Sequence, residues 1–154
     1  DYDDIPISIA QSEFHFFLLF VKSLTIISKI THNVVHSINF EDSLNKMVYH
    51  KENNTLFLNN SNHLYRIRIV NESRDVWKAY LEKEDYEQAL NHCKSNNLTM
   101  HSKRVSKLYA NNLYDRGEYV NCALRYSESD EKFEEVALKL LIKNQYEALK
   151  IYLT

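Results

Sequence analysis

The stretch Tyr65-Arg66-Ile67-Arg68-Ile69-Val70-Asn71-Glu72-Ser73-Arg74-Asp75-Val76-Trp77-Lys78-Ala79-Tyr80-Leu81 changes period halfway along, and that change decides the fold. Tyr65, Ile67 and Ile69 alternate with Arg66 and Arg68, which is the two-residue period of a strand with one solvated face. Trp77, Tyr80 and Leu81 then fall at i, i+3 and i+4, the spacing of one helix face. Ser73 is the expected N-cap, with Asp75 near the positive end of the helix dipole.

Upstream, the strand period holds throughout. Ile5, Ile7 and Ile9 alternate with smaller or polar residues, and Phe14 to Val21 is apolar on both faces, as in a strand covered on both sides. Leu24, Ile26 and Ile30, then Val34, Ile38 and Phe40, repeat with period two. Met47-Val48-Tyr49 and Leu56-Phe57-Leu58 follow before the run at Tyr65. Short strands joined by small polar turns predict antiparallel meanders. Four such strands make roughly one propeller blade, so residues 1–72 hold near two blades, too few to close a ring. With one glycine (Gly117) and one proline (Pro6), Asn must supply the turns, at Asn53-Asn54 and Asn59-Asn60-Ser61-Asn62.

Downstream, residues 73–154 read as six helices in pairs. After Trp77-Tyr80-Leu81 come Tyr86, Ala89, Leu90 and Cys93, then Val105, Leu108, Tyr109 and Leu113, stopped by Gly117 as the residue past the C-cap. Tyr119, Cys122, Ala123 and Tyr126 make a fourth. Phe133, Val136, Ala137, Leu140 and Leu141 make a fifth, and Tyr146, Leu149, Tyr152 and Leu153 begin a sixth. Tyr80 to Leu90, Leu113 to Ala123 and, more loosely, Leu140 to Leu149 share one plan: a helix end, a short turn, a Tyr, then a small residue three positions on or nearby. The small residues Ala89, Cys122 and Ala148 let helices approach closely. A two-helix unit of roughly 30–35 residues predicts an α-solenoid, whose units bury their apolar faces on their neighbours. The array is therefore expected to continue past Thr154.

Chemistry is hard to find. The 154 residues carry 19 basic and 21 acidic side chains, and the formal net charge of −2 lacks the basic footprint that nucleic acid or anionic lipid needs. Cys93 and Cys122 are too few and too far apart for a disulfide framework and read as free thiols. Four Asn-x-Ser/Thr triplets start at Asn53, Asn59, Asn71 and Asn97, as chance produces in an Asn-rich chain. Asp1-Tyr2-Asp3-Asp4 is acidic where a leader would be basic, and the run Phe14 to Val21 is too short to span a bilayer. The missing initiator Met suggests a piece of a longer protein. His32 and His36, expected on one strand, would lie roughly 13 Å apart and could not share a metal. A single glycine cannot build a nucleophile elbow or a phosphate loop. The pairs Glu134-Glu135 and Glu82/Glu84 belong to solvated faces, and the aromatic residues to the core. No catalytic, cofactor-binding or metal residue is assigned.

The specific residues are those of the strand-to-helix handover. Ile5 to Leu19, Tyr65 to Leu81, Tyr86 to Lys94 and Phe133 to Lys139 together resemble the vacuolar protein sorting-associated protein 18 (Pep-three/deep orange) family, with Arg74, Asp75, Val76 and Trp77 as its structural junction mark. The likeness is weakest at Val34 to Asn62 and Asn96 to Lys103. It implies the last blades of a β-propeller followed by an α-solenoid of clathrin-heavy-chain-type helical hairpins. It also implies a non-catalytic scaffold of the HOPS and CORVET tethering complexes, cytoplasmic and peripheral on late endosomes, lysosomes or vacuoles. Partners would be the other class C subunits and, indirectly, Rab GTPases and SNAREs. Zinc, and any ubiquitin-ligase activity, would belong to a C-terminal RING outside these residues. A vesicle-coat or intraflagellar-transport subunit of the same architecture is the alternative. Trp77 is expected to pack the first helix on the final blade.

Overall fold

The computed structural model describes residues 5–154; the acidic start read above as unlike a leader lies outside them. Among the described residues seven strands precede six helices, and the chain divides into two compact units between Val76 and Trp77.

The first unit holds two meanders. β1 (Ser8–Gln11), β2 (His15–Leu19), β3 (Ser23–Ser28) and β4 (Val34–Asn39) pair antiparallel in sequence order, and so do β5 (Lys46–His50), β6 (Thr55–Asn59) and β7 (Leu64–Arg68). Alternation puts Phe17, Leu19 and Leu24 on the inner face of the first sheet and Met47, Leu56 and Leu58 on that of the second, and these form one core with Leu44. Each fully buried leucine contributes on the order of 1.5–3 kcal/mol. The second sheet covers only one face of the first. Ile7, Ile9 and Phe16 are therefore exposed on the other, where a strand buried on both sides was expected at Phe14 to Val21.

Three local expectations shift. Ile30 falls in the turn after β3. In the β3–β4 pairing Ile26 faces His36 and Ile27 faces Val34, so Val35 is a bulge. The extra residue moves Val34 off the face of Ile38, and Val34 and Val35 are both exposed. His32 stands in the β3–β4 turn at φ 61°, and only His36 is on the strand. The Asn turns take different forms. Asn54 adopts φ 46°, whereas Asn60 accepts the N–H groups of Asn62 and His63 at 2.8 and 2.6 Å through its side chain.

The second unit holds α1 (Val76–Glu82) from its second residue onward, then α2 (Tyr86–Ser95), α3 (Thr99–Asp115), α4 (Tyr119–Ser127), α5 (Phe133–Ile142) and α6 (Tyr146–Tyr152). α1 begins at Val76, because Ser73 to Asp75 form a turn in which the Val76 N–H donates to the Ser73 carbonyl at 3.4 Å. Four helices end alike. Glu84, Asn97, Gly117 and Asn144 have φ of 58°, 54°, 78° and 55°, each one residue beyond a C-cap. Each donates to the carbonyl three residues back, and the next residue donates to the carbonyl five back, all at 2.9–3.2 Å. This double bond pattern is the Schellman motif. It satisfies the orphan carbonyls and reverses the chain within a few residues.

Two cores result. Trp77, Ala89, Leu90, Cys93 and Val105 join α1, α2 and α3. Ala110, Leu113, Cys122, Ala123, Tyr126, Val136, Leu140 and Ala148 join α3 to α6. Ala89, Cys122 and Ala148, the expected points of close approach, are essentially without solvent exposure. Among the described aromatic residues only Phe17, Trp77 and Tyr126 are fully buried; many of the others lie half-exposed and stack on one another.

Candidate functional site

The four junction residues do not converge. Arg74 pairs with the residue that follows it, with Nε and a terminal guanidinium nitrogen each 2.8 Å from Asp75 Oδ2, in a pair largely open to solvent. Such a pair contributes little stability. Val76 and Trp77 point inward and are buried. The described contacts of Trp77 are helical: it packs with Ala89, Leu90, Cys93 and Val105, and its ring stacks on His101 at 4.6 Å and 22°.

The best-built polar site of the first unit lies two residues upstream of Arg74. Glu72 Oε1 accepts from the Ser12 hydroxyl, from the Phe14 N–H at 3.0 Å and from His15 Nδ1 at 2.8 Å. The Glu72 side chain is 9% exposed. Burial by itself would raise its pKa. The three hydrogen bonds, with His15 beside it, outweigh burial and hold the carboxyl below its usual range. Serine, histidine and carboxylate invite a catalytic reading, but the connectivity is wrong for it. A nucleophilic serine gives its proton to the base. Here Ser12 and His15 both address the one carboxylate, and Ser12 Oγ meets His15 at the backbone N–H, 3.2 Å away. The cluster is a clasp that fastens the β1–β2 turn to the segment leaving β7. Nothing in the spacing of Ser12, His15 and Glu72 announces it, since Glu72 lies 60 residues from Ser12 and 57 from His15 and meets them only once two meanders have formed.

In the second unit the polar groups run along the helix seams. Tyr86 and Tyr109 stack at 5.3 Å and 3°, and the Arg125 guanidinium sits 5.6 Å from the Tyr109 ring. The Tyr109 hydroxyl donates to Glu87 at 3.3 Å. A shallow depression of about 470 Å³ opens beside them, with Glu84, Asp85 and Arg116 on its rim. Deeper in, the Tyr126 hydroxyl donates to Asn111 Oδ1 at 2.6 Å, and Lys139 Nζ stands 3.2 Å from the same hydroxyl. Burial, reinforced by anionic neighbours, pushes the Tyr126 pKa well up, so this phenol stays protonated. Lys94 and Arg125 both reach Glu128, at 3.2 and 3.1 Å, tying the end of α2 to the end of α4. Lys107 holds Glu131 at 2.9 Å, and that hydrogen bond lowers the Glu131 pKa. These are positioning contacts between successive helices.

Cys93 and Cys122 are free and buried. Burial pushes the Cys122 thiol up to about 11 and raises Cys93 as well, so neither is a thiolate at neutral pH. Glu82, Glu84, Glu134 and Glu135 are exposed. Among the described residues no three His, Cys, Asp or Glu side chains gather as metal ligands, and no helix is long and apolar enough to cross a membrane.

Comparison with known proteins matches the sequence of this chain to a family. The family model described as "VPS18, alpha-solenoid domain, first half" matches residues 69–154. The chain is similar to a vacuolar sorting protein 18 of Arabidopsis thaliana, 27% identical over 157 residues, covering 96% of this chain and 16% of that protein. It is 30% identical over 151 residues to a vacuolar protein sorting-associated protein 18 homolog of Danio rerio, covering 96% and 15%. It is 35% identical over 102 residues to the vacuolar membrane protein pep3 of Schizosaccharomyces pombe, covering 66% and 11%. The chain thus spans about a sixth or less of the length of these curated relatives.

Proposed function

The chain belongs to the VPS18 family, and from that membership we propose that it is part of a non-catalytic scaffold subunit in vacuolar protein sorting, acting in the HOPS and CORVET tethering complexes. The observation that carries the reading is the stack of helical hairpins at residues 77–154, held by four recurrent Schellman turns and two cores, with its polar groups used for positioning. Such an array presents a long surface on which partners dock, and each unit rests on the next. The two meanders support assignment of the first unit to the last blades of a β-propeller. On this reading the protein is peripheral on late endosomal, lysosomal or vacuolar membranes and holds other class C subunits in place. Rab GTPases and SNAREs meet it through those subunits. Any RING, with its zinc, lies elsewhere in the full protein.

Affinity purification of the full-length natural protein from its own cells, followed by mass spectrometry, tests this. Co-purification of the other class C tethering subunits is the expected result. Recovery of coat or ciliary-train subunits in their place would transfer the chain to another propeller–solenoid assembly.

A further inference from the structure

Charge is unevenly placed along the helical unit. No acidic side chain occurs between Glu87 and Asp115, a span that carries Lys94, Lys103, Arg104 and Lys107. Two of these cations are answered from outside the span. Lys94 meets Glu128 at 3.2 Å, and Lys107 meets Glu131 at 2.9 Å with Asp130 and Glu135 close enough to act on it. The side chains of Lys103 and Arg104 are exposed and have no partner among the described residues. The carboxylates of the packed elements are engaged elsewhere: Glu87 with Tyr109, Glu128 with Lys94 and Arg125, Glu131 with Lys107. The first turn of α3 holds no acidic residue to offset the two free cations.

These cations share a helix face with apolar surface. α3 has 17 residues against 9 in α4, which makes it roughly 12 Å the longer at 1.5 Å per residue. Val105, Ser106, Ala110 and Leu113 form its buried side. Met100, Arg104 and Leu108 recur every fourth residue on another side, with Lys103 and Lys107 along one flank. Toward the end of α3 the outer groups are taken up: Asn111 Oδ1 accepts from Tyr126, and the Tyr114 hydroxyl donates to the Lys139 carbonyl at 3.2 Å. Toward its start they are bare, with Met100 83% and Leu108 39% exposed. Free surface cations alone are ordinary. Here they flank an exposed methionine, and Met and Arg are the residues that interfaces favour.

We propose that the first half of α3 docks an acidic amphipathic helix of another protein. The ridge of Met100, Arg104 and Leu108 fits the groove of a second helix. Carboxylates one turn apart on that helix meet Lys103 and Arg104, and an apolar side chain between them rests on Met100. Charge decides the class of partner. A lipid surface or a nucleic acid calls for a broader basic footprint than two free cations on a chain of formal net charge −2. The inference holds whichever complex the protein serves.

A photo-reactive benzoylphenylalanine in place of Met100, in the full-length natural protein and in its own cells, tests it. Mass spectrometry is expected to find position 100 cross-linked to a helical segment of another protein with two acidic residues one turn apart. Lys103→Glu combined with Arg104→Glu is expected to lower the cross-link yield about tenfold or more, and exchanging the two acidic residues of that segment for lysine is expected to restore it. Lys103→Gln combined with Arg104→Gln should give a smaller loss in the same direction. An unchanged thermal midpoint in both double variants shows that α3 still folds, as befits exposed side chains. A cross-link to lipid, to nucleic acid, to the same polypeptide or to a segment without acidic residues would overturn the proposal, as would no cross-link at all. So would a yield that neither double substitution alters.

Discussion

Glu84 occupies a backbone conformation that penalises it. At φ 58° a side chain crowds the following carbonyl, an effect of roughly 1–2 kcal/mol for an ordinary L-residue. The hairpin turn needs that conformation, and Gly117 and Asn144 meet the same need at equivalent places with less strain. Glu84→Gly is therefore expected to stabilise the helical unit by about 1 kcal/mol, read as a raised thermal midpoint. The reverse experiment is clean at Gly117, where an added Cβ would meet nothing within 4 Å. Gly117→Ala should then lower stability by about 1 kcal/mol through backbone strain alone. Gly117 is legible in the sequence as a helix stop because glycine is the residue that usually fills it. Glu84 is not, since glutamate carries no left-handed signal and only the likeness of its surroundings to those of Gly117 marks the turn. Trp77 is legible as a large anchor on a helix face, but its stacking on His101 is not, because His101 lies on α3. Trp77→Ala should cost on the order of 3–5 kcal/mol by chemical denaturation.

At the scale of elements, the sequence periods locate all seven strands and six helices, since both rest on local side-chain alternation. What they miss is set by pairing between elements. The bulge at Val35 shows only when β4 is laid against β3, and the start of α1 shifts to Val76 because Ser73 to Asp75 are drawn into a turn beside the Glu72 clasp. That clasp has a pH signature. Its carboxyl is held below the usual range in the folded state, so the stability it adds is complete above the unfolded carboxylate pKa of about 4.3. It is lost as pH falls through the lower folded value. Glu72→Gln should lower the stability of the β unit by about 1–3 kcal/mol at neutral pH, and should flatten its loss of stability below pH about 4. Unfolding curves at pH 7 and pH 3, followed by a probe specific to the strands, separate the two effects. The small residues between helices make the complementary case. Cys122 is fully enclosed where α4 meets its neighbours, and Cys122→Leu should cost about 1–3 kcal/mol by overpacking.

At the scale of the whole molecule, the informative feature is where apolar surface is left uncovered. α5 is apolar on two sides: Val136 and Leu140 face the core, while Leu138, Leu141 and Ile142, at i, i+3 and i+4, are exposed on another side. A globular helix normally pairs one apolar stripe with one polar face, and a helix apolar all round is one that neighbours enclose. α5 therefore has the composition of an interior member of a stack, and Phe133, Tyr146 and Leu153 extend the exposed surface around it. Contiguous apolar patches of this sort drive association when they meet water. Residues 1–154 prepared alone should accordingly self-associate at micromolar concentration, and Leu138→Glu with Ile142→Lys should return them to monomer without loss of helical circular dichroism. Sedimentation velocity across a concentration series reads the outcome. A chain that stays monomeric before substitution would mean that the exposed side of α5 is tolerated by water. The helical hairpins would then be a closed unit, and the picture of a continuing rod in which each pair leans on the next would fail at its most direct consequence.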